Sequence, residues 1–309
     1  MAVISVRHLT RYRYARPVAF GEHRMMFRPR ESHDQRVLSF KVAVTPRPTR
    51  VRDVEDVFGN SVGIATFGAR ASQLTFESRV RLEHTPVGAF EDLAGDAQMY
   101  GGTLPFAYSP EDMPDLLRSM ERHYPDPKGV LERWARRFVR RVGPSSLQGL
   151  LTEMTQRIHS DFTYQSRPHG AAQAPNQTLA SRSGSCRDFA ILMIEAARSL
   201  GLAARFVSGY VFNPRRTAGI VGGGHTHAWA RIYLPACGWV EFDPTNGIVG
   251  AGHLVRVAIA RDPRQAVPLH GTWEGFASDF LGMDVEVEVL SDDRGPARLL
   301  RLADSASAA

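Results

Sequence analysis

The sequence predicts an α+β protein, in which a β-rich N-terminal domain precedes a core where a cysteine-bearing helix packs on an antiparallel sheet. Hydrophobic and polar residues alternate over the first ~90 residues, as in half-buried strands. Apolar residues then recur at helical spacing, and short apolar strands follow the last helix. We therefore divide the chain into a β domain (1–90), a helical connection (91–150), a core with trailing strands (151–295) and a tail (296–309).

Composition restricts the partners and the location that this chain can have. The 309 residues carry a formal charge of +6, with 43% hydrophobic and 23% charged residues, which is ordinary for a globular protein. The arginines form no run interleaved with aromatic residues, so we expect no nucleic-acid binding, although recognition of an acidic substrate stays open.

No apolar run reaches the ~20 residues of a membrane span, and arginines interrupt the amino terminus too early for a signal peptide. With two cysteines, Cys186 and Cys237, we expect no disulfide framework, no membrane association and a cytoplasmic location.

Three N-terminal segments have the period-two pattern of antiparallel strands. Gly59 and Asn60 supply one turn between them, and Pro46 and Pro48 supply another. The residues that share a face are Ile4, Val6, His8, Thr10, Tyr12 and Tyr14 in the first segment, Leu38, Phe40, Val42 and Val44 in the second, and Leu74, Phe76, Val80 and Leu82 in the third. We interpret this region as a small β-sandwich or β-sheet.

The following region is predicted to be helical. Ser109 is a suitable N-cap with Pro110 at the first helical position, and apolar residues follow at helical spacing. A later helix has one apolar stripe, which consists of Leu147, Leu150, Leu151, Met154 and Ile158.

Cys186 stands at the start of another apolar helix. Apolar residues recur behind it as far as Leu200, and Gly201 suits the left-handed cap that ends a helix. Ser185 or Cys186 therefore lies at the N-cap or in the first turn. Unpaired backbone N–H groups and the positive end of the helix dipole favour a thiolate there, and the thiolate is the reactive form of cysteine.

A hairpin downstream can supply a base and a group that orients it. Residues 227–234 alternate as one strand and residues 239–242 form a second, with a turn centred near residues 235–236. In that register His227 pairs with a residue near 243 or 244, so we predict that it lies beside Asp243 across the ladder. The carboxylate can then fix the imidazole tautomer.

Other interpretations of these side chains remain open. A lone buried cysteine is most often inert packing, which is our interpretation of Cys237. Cys186, His225, His227 and Asp243 are all zinc-ligand types. Because the sequence lacks paired CxxC-like ligands, we expect no metal at this site.

Four segments resemble the transglutaminase-like superfamily: GSCRDFA, LGLAARFVSGY, THAWARIYLP and GWVEFDPTN. The segments HLTRYRYARPV and FRPR are similar to the N-terminal region of its bacterial members. The resemblance implies a papain-like cysteine-proteinase core, with Cys186 as the nucleophile, His227 as the general base and acid, and Asp243 as the orienting residue. Arg187 stands where glutamine is common in the family, and we hypothesise that it biases the site toward anionic substrates.

The resemblance also implies an enzyme that acts through a thioester acyl-enzyme and needs no cofactor. We expect a peptide or protein substrate, attacked at a peptide bond, an isopeptide bond or a glutamine side chain, with hydrolysis favoured. The alternatives are amine cross-linking, as by a protein-glutamine gamma-glutamyltransferase, and a non-catalytic binding module that keeps the fold; the intact set of three residues argues against the latter. The backbone N–H of Cys186 is one expected oxyanion donor, and Tyr164 is a candidate second donor or a core aromatic residue. The sequence does not indicate the oligomeric state.

Overall fold

The computed structural model describes residues 2–85, 102–167, 170–212, 225–235 and 237–292. The glycine-rich segment NPRRTAGIVGGGH, residues 213–225, is predicted to be a mobile surface loop, and all of it but His225 lies outside the described residues, as does the predicted tail of residues 296–309. Within the described ranges, no helix is long and apolar enough to cross a membrane.

The described part of the chain contains two main antiparallel sheets and five α-helices. The strands are β1 (Ala2–Met25), β2 (Gln35–Thr45), β3 (Arg50–Glu55), β4 (Ser61–Thr66), β5 (Ala71–His84), β6 (Thr103–Leu104), β7 (Ser145–Ser146), β8 (Thr163–Tyr164), β9 (Ser183–Gly184), β10 (Ala204–Val211), β11 (His227–Leu234), β12 (Gly238–Asp243), β13 (Ile248–Val249), β14 (Leu254–Ala260), β15 (Leu269–Glu274) and β16 (Phe280–Asp292). The helices are α1 (Met113–Met120), α2 (Val130–Ala135), α3 (Leu147–Asp161), α4 (Pro175–Ser181) and α5 (Cys186–Ser199). Short 3-10 helices cover Arg136–Phe138, Pro263–Gln265 and Ala277–Asp279.

The larger sheet is organised around β1, which is 24 residues long. The first half of β1 lies between β5 and β16, and its second half pairs with β4 and β15. A shift of register between Arg13 and Val18 separates the two halves, as a bulge does when it bends a strand. The outer strands β2 and β3 complete the order β2-β5-β1-β4-β3.

Burial confirms the predicted alternation of the N-terminal strands. The buried members of the predicted faces are Ile4, Val6, His8, Thr10, Tyr14, Leu74, Phe76, Val80 and Leu82. On β2 Phe40, Val42 and Val44 are partly buried, whereas Leu38 is 38% exposed because a shift of register between Val37 and Ser39 interrupts the alternation there.

The last two strands belong to the larger sheet. The sequence analysis grouped them with the core, but both pair antiparallel with β1, so that Thr10 lies opposite Val285 and His23 lies opposite Gly271. An alternating pattern identifies a strand without revealing its partner, which is why the sequence could not place them. The chain thus returns to the sheet in which it begins, while its division into domains stays a prediction.

The predicted starts of the connecting helices were partly wrong. Helix α1 begins at Met113 with Asp112 as its N-cap. Ser109 instead caps the turn before it, because its Oγ accepts from the Asp112 N–H and its carbonyl from the Met113 N–H, both at 3.0 Å. Pro114, not Pro110, therefore occupies the first turn. The predicted stripe of α3 is confirmed, and all five of its apolar side chains are buried.

The second sheet carries the predicted papain-like core. Its strand order is β13-β12-β11-β10-β14, and α5 packs against β11 and β10. Ala190, Met193 and Ala197 of α5 are fully buried, in one cluster with Ala230 and Ile232 of β11. The helix that begins with Cys186 is thus fixed against the sheet that carries His227 and Asp243.

A separate hydrophobic cluster joins the two sheets. Its buried members are Ile4, Val6, Val80, Leu82, Tyr210, Phe212, Val255, Val257 and Val287. These residues come from β1, β5 and β16 of the larger sheet and from β10, β14 and the residue after β10 in the core. The larger sheet is therefore packed onto the core through this cluster.

Candidate active site

Cys186 occupies the first position of α5. Ser185 is the N-cap, and Gly201 follows the helix with φ +85°, so both predicted ends of this helix are confirmed. The Cys186 side chain is nearly buried, with 9% of the residue exposed. The N–H of a first helical position has no partner inside its own helix, so this end of α5 favours negative charge on the sulfur.

The buried carboxylate of Asp188 holds the start of α5 together. One of its oxygens accepts hydrogen bonds from the backbone N–H and the hydroxyl of Ser185, at 2.7 and 2.9 Å. The other oxygen accepts from the backbone N–H of Gln173 at 2.7 Å, and Arg167 donates to both at 2.6 and 2.8 Å. Asp188 therefore does more than serve the helix dipole, because it ties the loop around Arg167 and Gln173 to the residue that precedes Cys186.

Loss of Asp188 should destabilise this protein strongly. Asp188→Ala leaves the donors of Ser185, Gln173 and Arg167 without their acceptor, and we expect the free energy of unfolding to fall by about 3 kcal/mol. Chemical denaturation measures this change. Glu132→Ala removes an exposed partner of Arg136 and should cost no more than about 0.5 kcal/mol. Equal effects of the two substitutions would contradict the anchoring role.

His227 and Asp243 form a buried pair. His227 Nε2 lies 2.8 Å from Asp243 Oδ2, and neither side chain is exposed. Burial alone would disfavour the imidazolium, but the charge of Asp243, their hydrogen bond and the Cys186 thiol outweigh it and raise the pKa of His227. Burial likewise opposes the carboxylate, but His227, Asn246 and the Thr245 N–H hold the pKa of Asp243 below its ordinary value. The pair therefore favours imidazolium beside carboxylate.

The other ring nitrogen of His227 is directed away from this pair. Nδ1 is buried and has no hydrogen bond of good geometry within the part of the chain that the structure describes. Cys186 nevertheless lies close enough to raise the imidazole pKa through hydrogen bonding and charge. Asp243 therefore occupies Nε2, and Nδ1 is the ring nitrogen that Asp243 leaves unoccupied.

The register of the hairpin differs slightly from the prediction. Ala230 pairs with Phe242 and Leu234 pairs with Gly238, which moves the centre of the turn to residue 236. Asp243 therefore lies diagonally across from His227 rather than directly opposite. The predicted contact forms all the same, because diagonal neighbours on a ladder remain within reach of long side chains.

Asn246 is a site residue that the sequence analysis missed. Its side-chain amide donates to Asp243 Oδ2 at 2.7 Å and lies 3.4 Å from His227 Nε2. The backbone N–H groups of Thr245 and Asn246 donate to Asp243 Oδ1 at 3.0 and 3.4 Å. The signal was available, since an aspartate followed by Pro-Thr-Asn after a strand is typical of a turn in which the carboxylate accepts from the next backbone amides.

A second missed group supports His227 from behind. The Trp229 ring stacks on the imidazole with 6.0 Å between centroids, and its Nε1–H donates to Glu241 Oε2 at 2.7 Å. Glu241 is buried and also accepts from Arg256 at 3.3 Å, while Arg256 donates to Asp34 at 2.9 Å. The indole that packs on the imidazole of His227 is therefore fixed by a buried chain of charges that reaches the N-terminal region.

A cavity of about 590 Å³ lies over these groups. Cys186 and His227 line it on the core side, while His8, Tyr12 and Val285 line it from the larger sheet. The N-terminal strand and the last strand thus form one wall of the cleft. The N-terminal region therefore lies beside the candidate site, which its sequence did not reveal.

Tyr164 and Cys237 differ in their position relative to the cavity. Tyr164 pairs with Gly184 across β8 and β9, lines the same cavity and is half-buried. Burial, followed by the charge of Cys186, raises the Tyr164 pKa, so the phenol keeps its proton. Cys237 lies in the hairpin turn outside the cavity lining. Among the described residues, no three or more His, Cys, Asp or Glu side chains are grouped so that they could hold a metal ion.

Two family models match this chain. Residues 132–244 match the model of the transglutaminase-like superfamily, and residues 4–83 match the bacterial transglutaminase-like N-terminal region. The first match includes Cys186, His227 and Asp243. The chain belongs to the transglutaminase-like superfamily. The order of the two matched regions agrees with the resemblance noted from the sequence.

Three similar proteins illustrate the range of this superfamily. An uncharacterised protein of Mycobacterium tuberculosis is 29% identical over 301 residues, which are 92% of this chain and 91% of that protein. A protein-glutamine gamma-glutamyltransferase of Pseudomonas aeruginosa is 34% identical over 104 residues, which are 32% of this chain and 16% of that protein. The solved structure of a proposed cysteine protease from Cytophaga hutchinsonii has a TM-score of 0.70 at 18% identity and covers 95% of this chain and 92% of its own. This structure shows that the whole fold, including the packing of both sheets, is shared.

Proposed function

We propose that this member of the transglutaminase-like superfamily is a thiol-dependent enzyme that hydrolyses an amide of a peptide or protein through a thioester on Cys186. The proposal is supported by one observation, namely that three features lie together in one cleft. Cys186 lies at a helix start, His227 is held by Asp243 at 2.8 Å, and a cavity of about 590 Å³ gives a substrate access to both Cys186 and His227.

In the first step the Cys186 thiolate attacks the amide carbonyl carbon. An S–C bond forms, and the carbonyl electrons move onto oxygen. His227 then gives its Nδ1 proton to the amide nitrogen, the C–N bond breaks and an amine leaves. Asp243 keeps Nε2 occupied throughout, so the proton on the thiol side of the ring is the one that moves.

In the second step a water molecule resolves the thioester. Neutral His227 takes a proton from water as its oxygen attacks the acyl carbon. The C–S bond breaks, a carboxylic acid leaves, and the thiolate and imidazolium are restored. We assign this step to water because water needs no binding surface of its own, whereas a protein amine does.

Two donors are proposed for the oxyanion that forms in each step. The first is the backbone N–H of Cys186, which has no acceptor inside its helix. The second is the Tyr164 hydroxyl, supported by the place of this residue on the cavity wall and by its raised pKa, which keeps the donor proton.

Transfer to an amine is the second candidate function. The match to the gamma-glutamyltransferase of Pseudomonas aeruginosa favours it, since that match covers 104 residues at 34% identity. The same three side chains would form the thioester from a glutamine side chain, with release of ammonia, and a primary amine would replace water.

Incubation with a peptide library, with and without a primary amine, separates these functions. The wild-type chain is compared with Cys186→Ala, and Cys237→Ala serves as the matched control. Cleaved peptides or deamidated side chains that disappear only with Cys186→Ala support hydrolysis. Amine incorporation with loss of ammonia supports transfer. If no product forms under either condition, the chain is a binding module and the proposal is wrong.

A further inference from the structure

The charged side chains that line the cleft are mainly cationic. They are the arginines Arg167, Arg187 and Arg264, with Asp262 as the carboxylate among the described lining residues. A cleft lined by charges of one sign attracts ligands of the opposite charge, but only where a protein partner does not already neutralise the lining charge. The question is therefore which of these cations is free to act on a substrate.

Two of the three arginines are already paired. Arg167 donates to the buried carboxylate of Asp188 at 2.6 Å. Arg264 donates to Asp262 at 2.7 Å. Burial, together with the positive charges of Arg198 and Arg261, lowers the pKa of His123, which leaves that imidazole neutral at pH 7. None of these three groups offers an uncompensated charge to the cleft.

Arg187 differs from them in its partners. Its Nη1 donates to the carbonyl of Gly170 at 3.0 Å and its Nη2 to the carbonyl of Arg167 at 2.7 Å. Both acceptors are neutral, and no carboxylate pairs with Arg187 within the described ranges. Each terminal nitrogen carries two N–H groups, so one N–H on each remains beyond these carbonyl bonds. Arg187 thus keeps its full positive charge and a pair of donors beside the cleft.

The position of Arg187 makes this charge relevant to the reacting atoms. It directly follows Cys186 in the first turn of α5, and it is half-buried, so solvent screens it less than a surface arginine. Its two carbonyl bonds fix the guanidinium against the loop of Arg167 and Gly170. A fixed, uncompensated guanidinium is suited to recognise a carboxylate.

We propose that Arg187 binds an anionic group of the substrate beside the bond that Cys186 attacks, so that acidic acyl donors are selected. This inference rests on the proposed function for its substrate, because it assumes that the acyl donor reaches Cys186. Under this proposal Arg187 makes the enzyme prefer a substrate with a carboxylate over one with a neutral amide at the same position. It also explains why an arginine beside the nucleophile is held by neutral carbonyls, which leave its charge intact.

Alkylation tests this inference without any knowledge of the substrate. Iodoacetate and iodoacetamide differ only in the anionic carboxylate, and with either reagent an S–C bond forms while iodide leaves. The measured quantity is the iodoacetate-to-iodoacetamide rate ratio at Cys186, divided by the same ratio at Cys237. We expect Arg187→Gln to lower this normalised ratio roughly 10-fold or more and Arg187→Lys to lower it less, because Lys keeps the charge but loses the planar fork.

Two controls separate recognition from a structural role. Arg79→Gln removes the same charge from an exposed residue of β5 and should leave the ratio unchanged. Loss of loop support alone would slow both reagents equally in Arg187→Gln, so an unchanged ratio would overturn the inference. Unreactive Cys186 in the wild-type chain would instead count against the proposed function.

Peptide substrates give the catalytic counterpart of the same test. Once a cleaved peptide is found, Glu and Gln versions of the residue next to the scissile amide are compared by kcat/KM. The wild-type chain should prefer the Glu version roughly 10- to 100-fold, and Arg187→Gln should remove the preference while it retains turnover of the Gln version. Turnover without any such preference in the wild-type chain would contradict the inference but not the proposed function.

Discussion

Replacing Cys186 with alanine is expected to reduce turnover by a factor of about 10⁴ or more, because a thioester needs a thiol and the second cysteine of the chain, Cys237, lies outside the described cavity lining. The loss should appear in kcat, and substrate binding should remain measurable. Since alanine and cysteine are similar in size and Cys186 is nearly buried, the fold should persist. Steady-state kinetics on a substrate from the library, together with a thermal unfolding scan, measures both effects.

Cys237→Ala provides the matched control for this substitution. Burial raises the Cys237 pKa, and the residue lies outside the cavity lining, so its removal should leave kcat unchanged. Comparable losses in the two variants would show that the effect of Cys186→Ala is structural and would contradict its role as the nucleophile.

Asp243→Asn is expected to reduce kcat/KM by roughly 10³- to 10⁴-fold, since a neutral amide cannot stabilise the imidazolium of His227. The pH–rate profile gives a more specific readout. In the proposed mechanism the protonated ring of His227 protonates the leaving amine, and Asp243 raises the pKa of that ring. The alkaline limb of the profile should therefore move to lower pH in the variant. An unchanged limb would show that Asp243 does not act through His227.

The His227–Asp243 pair should also make the free energy of unfolding depend on pH. His227 has a raised pKa in the folded chain, so its contribution is complete below its ordinary pKa of 6.5 and is lost as pH rises through the folded value of about 10. Asp243 has a lowered pKa, so its contribution is complete above 3.8 and is lost as pH falls through its folded value. The difference in unfolding free energy between wild type and Asp243→Asn should be largest between pH 4 and 6.5. A difference that grows toward pH 10, measured by urea denaturation, would contradict the pairing.

The helix that begins with Cys186 could be predicted from the sequence because its signals are local. Apolar spacing, the residue at the N-cap and Gly201 at the end all lie within a few turns of Cys186. The contact of His227 with Asp243 was also predicted, since a short hairpin brings its two strands together whatever its precise turn. Only the register was wrong, because one residue in the turn shifts the whole ladder.

The groups that hold the site in place could not be predicted in the same way. Arg256 and Asp34 are separated by 222 residues, and Arg167 and Asp188 by 21, so no period or spacing connects them. The pairing of β16 with β1 is equally remote, because an alternating strand can join any open edge with a matching face. These contacts arise from the packing of the two sheets, which also places Tyr12 and Val285 on the wall of the cleft.

The central claim is that Cys186, at the start of α5, is the reactive thiol of the cleft and depends on His227 for its reactivity. The most direct measurement is the rate of carboxamidomethylation of Cys186 and Cys237 by iodoacetamide from pH 5 to pH 9, followed by peptide mass spectrometry. We predict that Cys186 reacts at least about 10-fold faster than Cys237 and that His227→Ala abolishes this advantage. Reaction of Cys186 no faster than Cys237 across this range, or an equal advantage without His227, would contradict the claim.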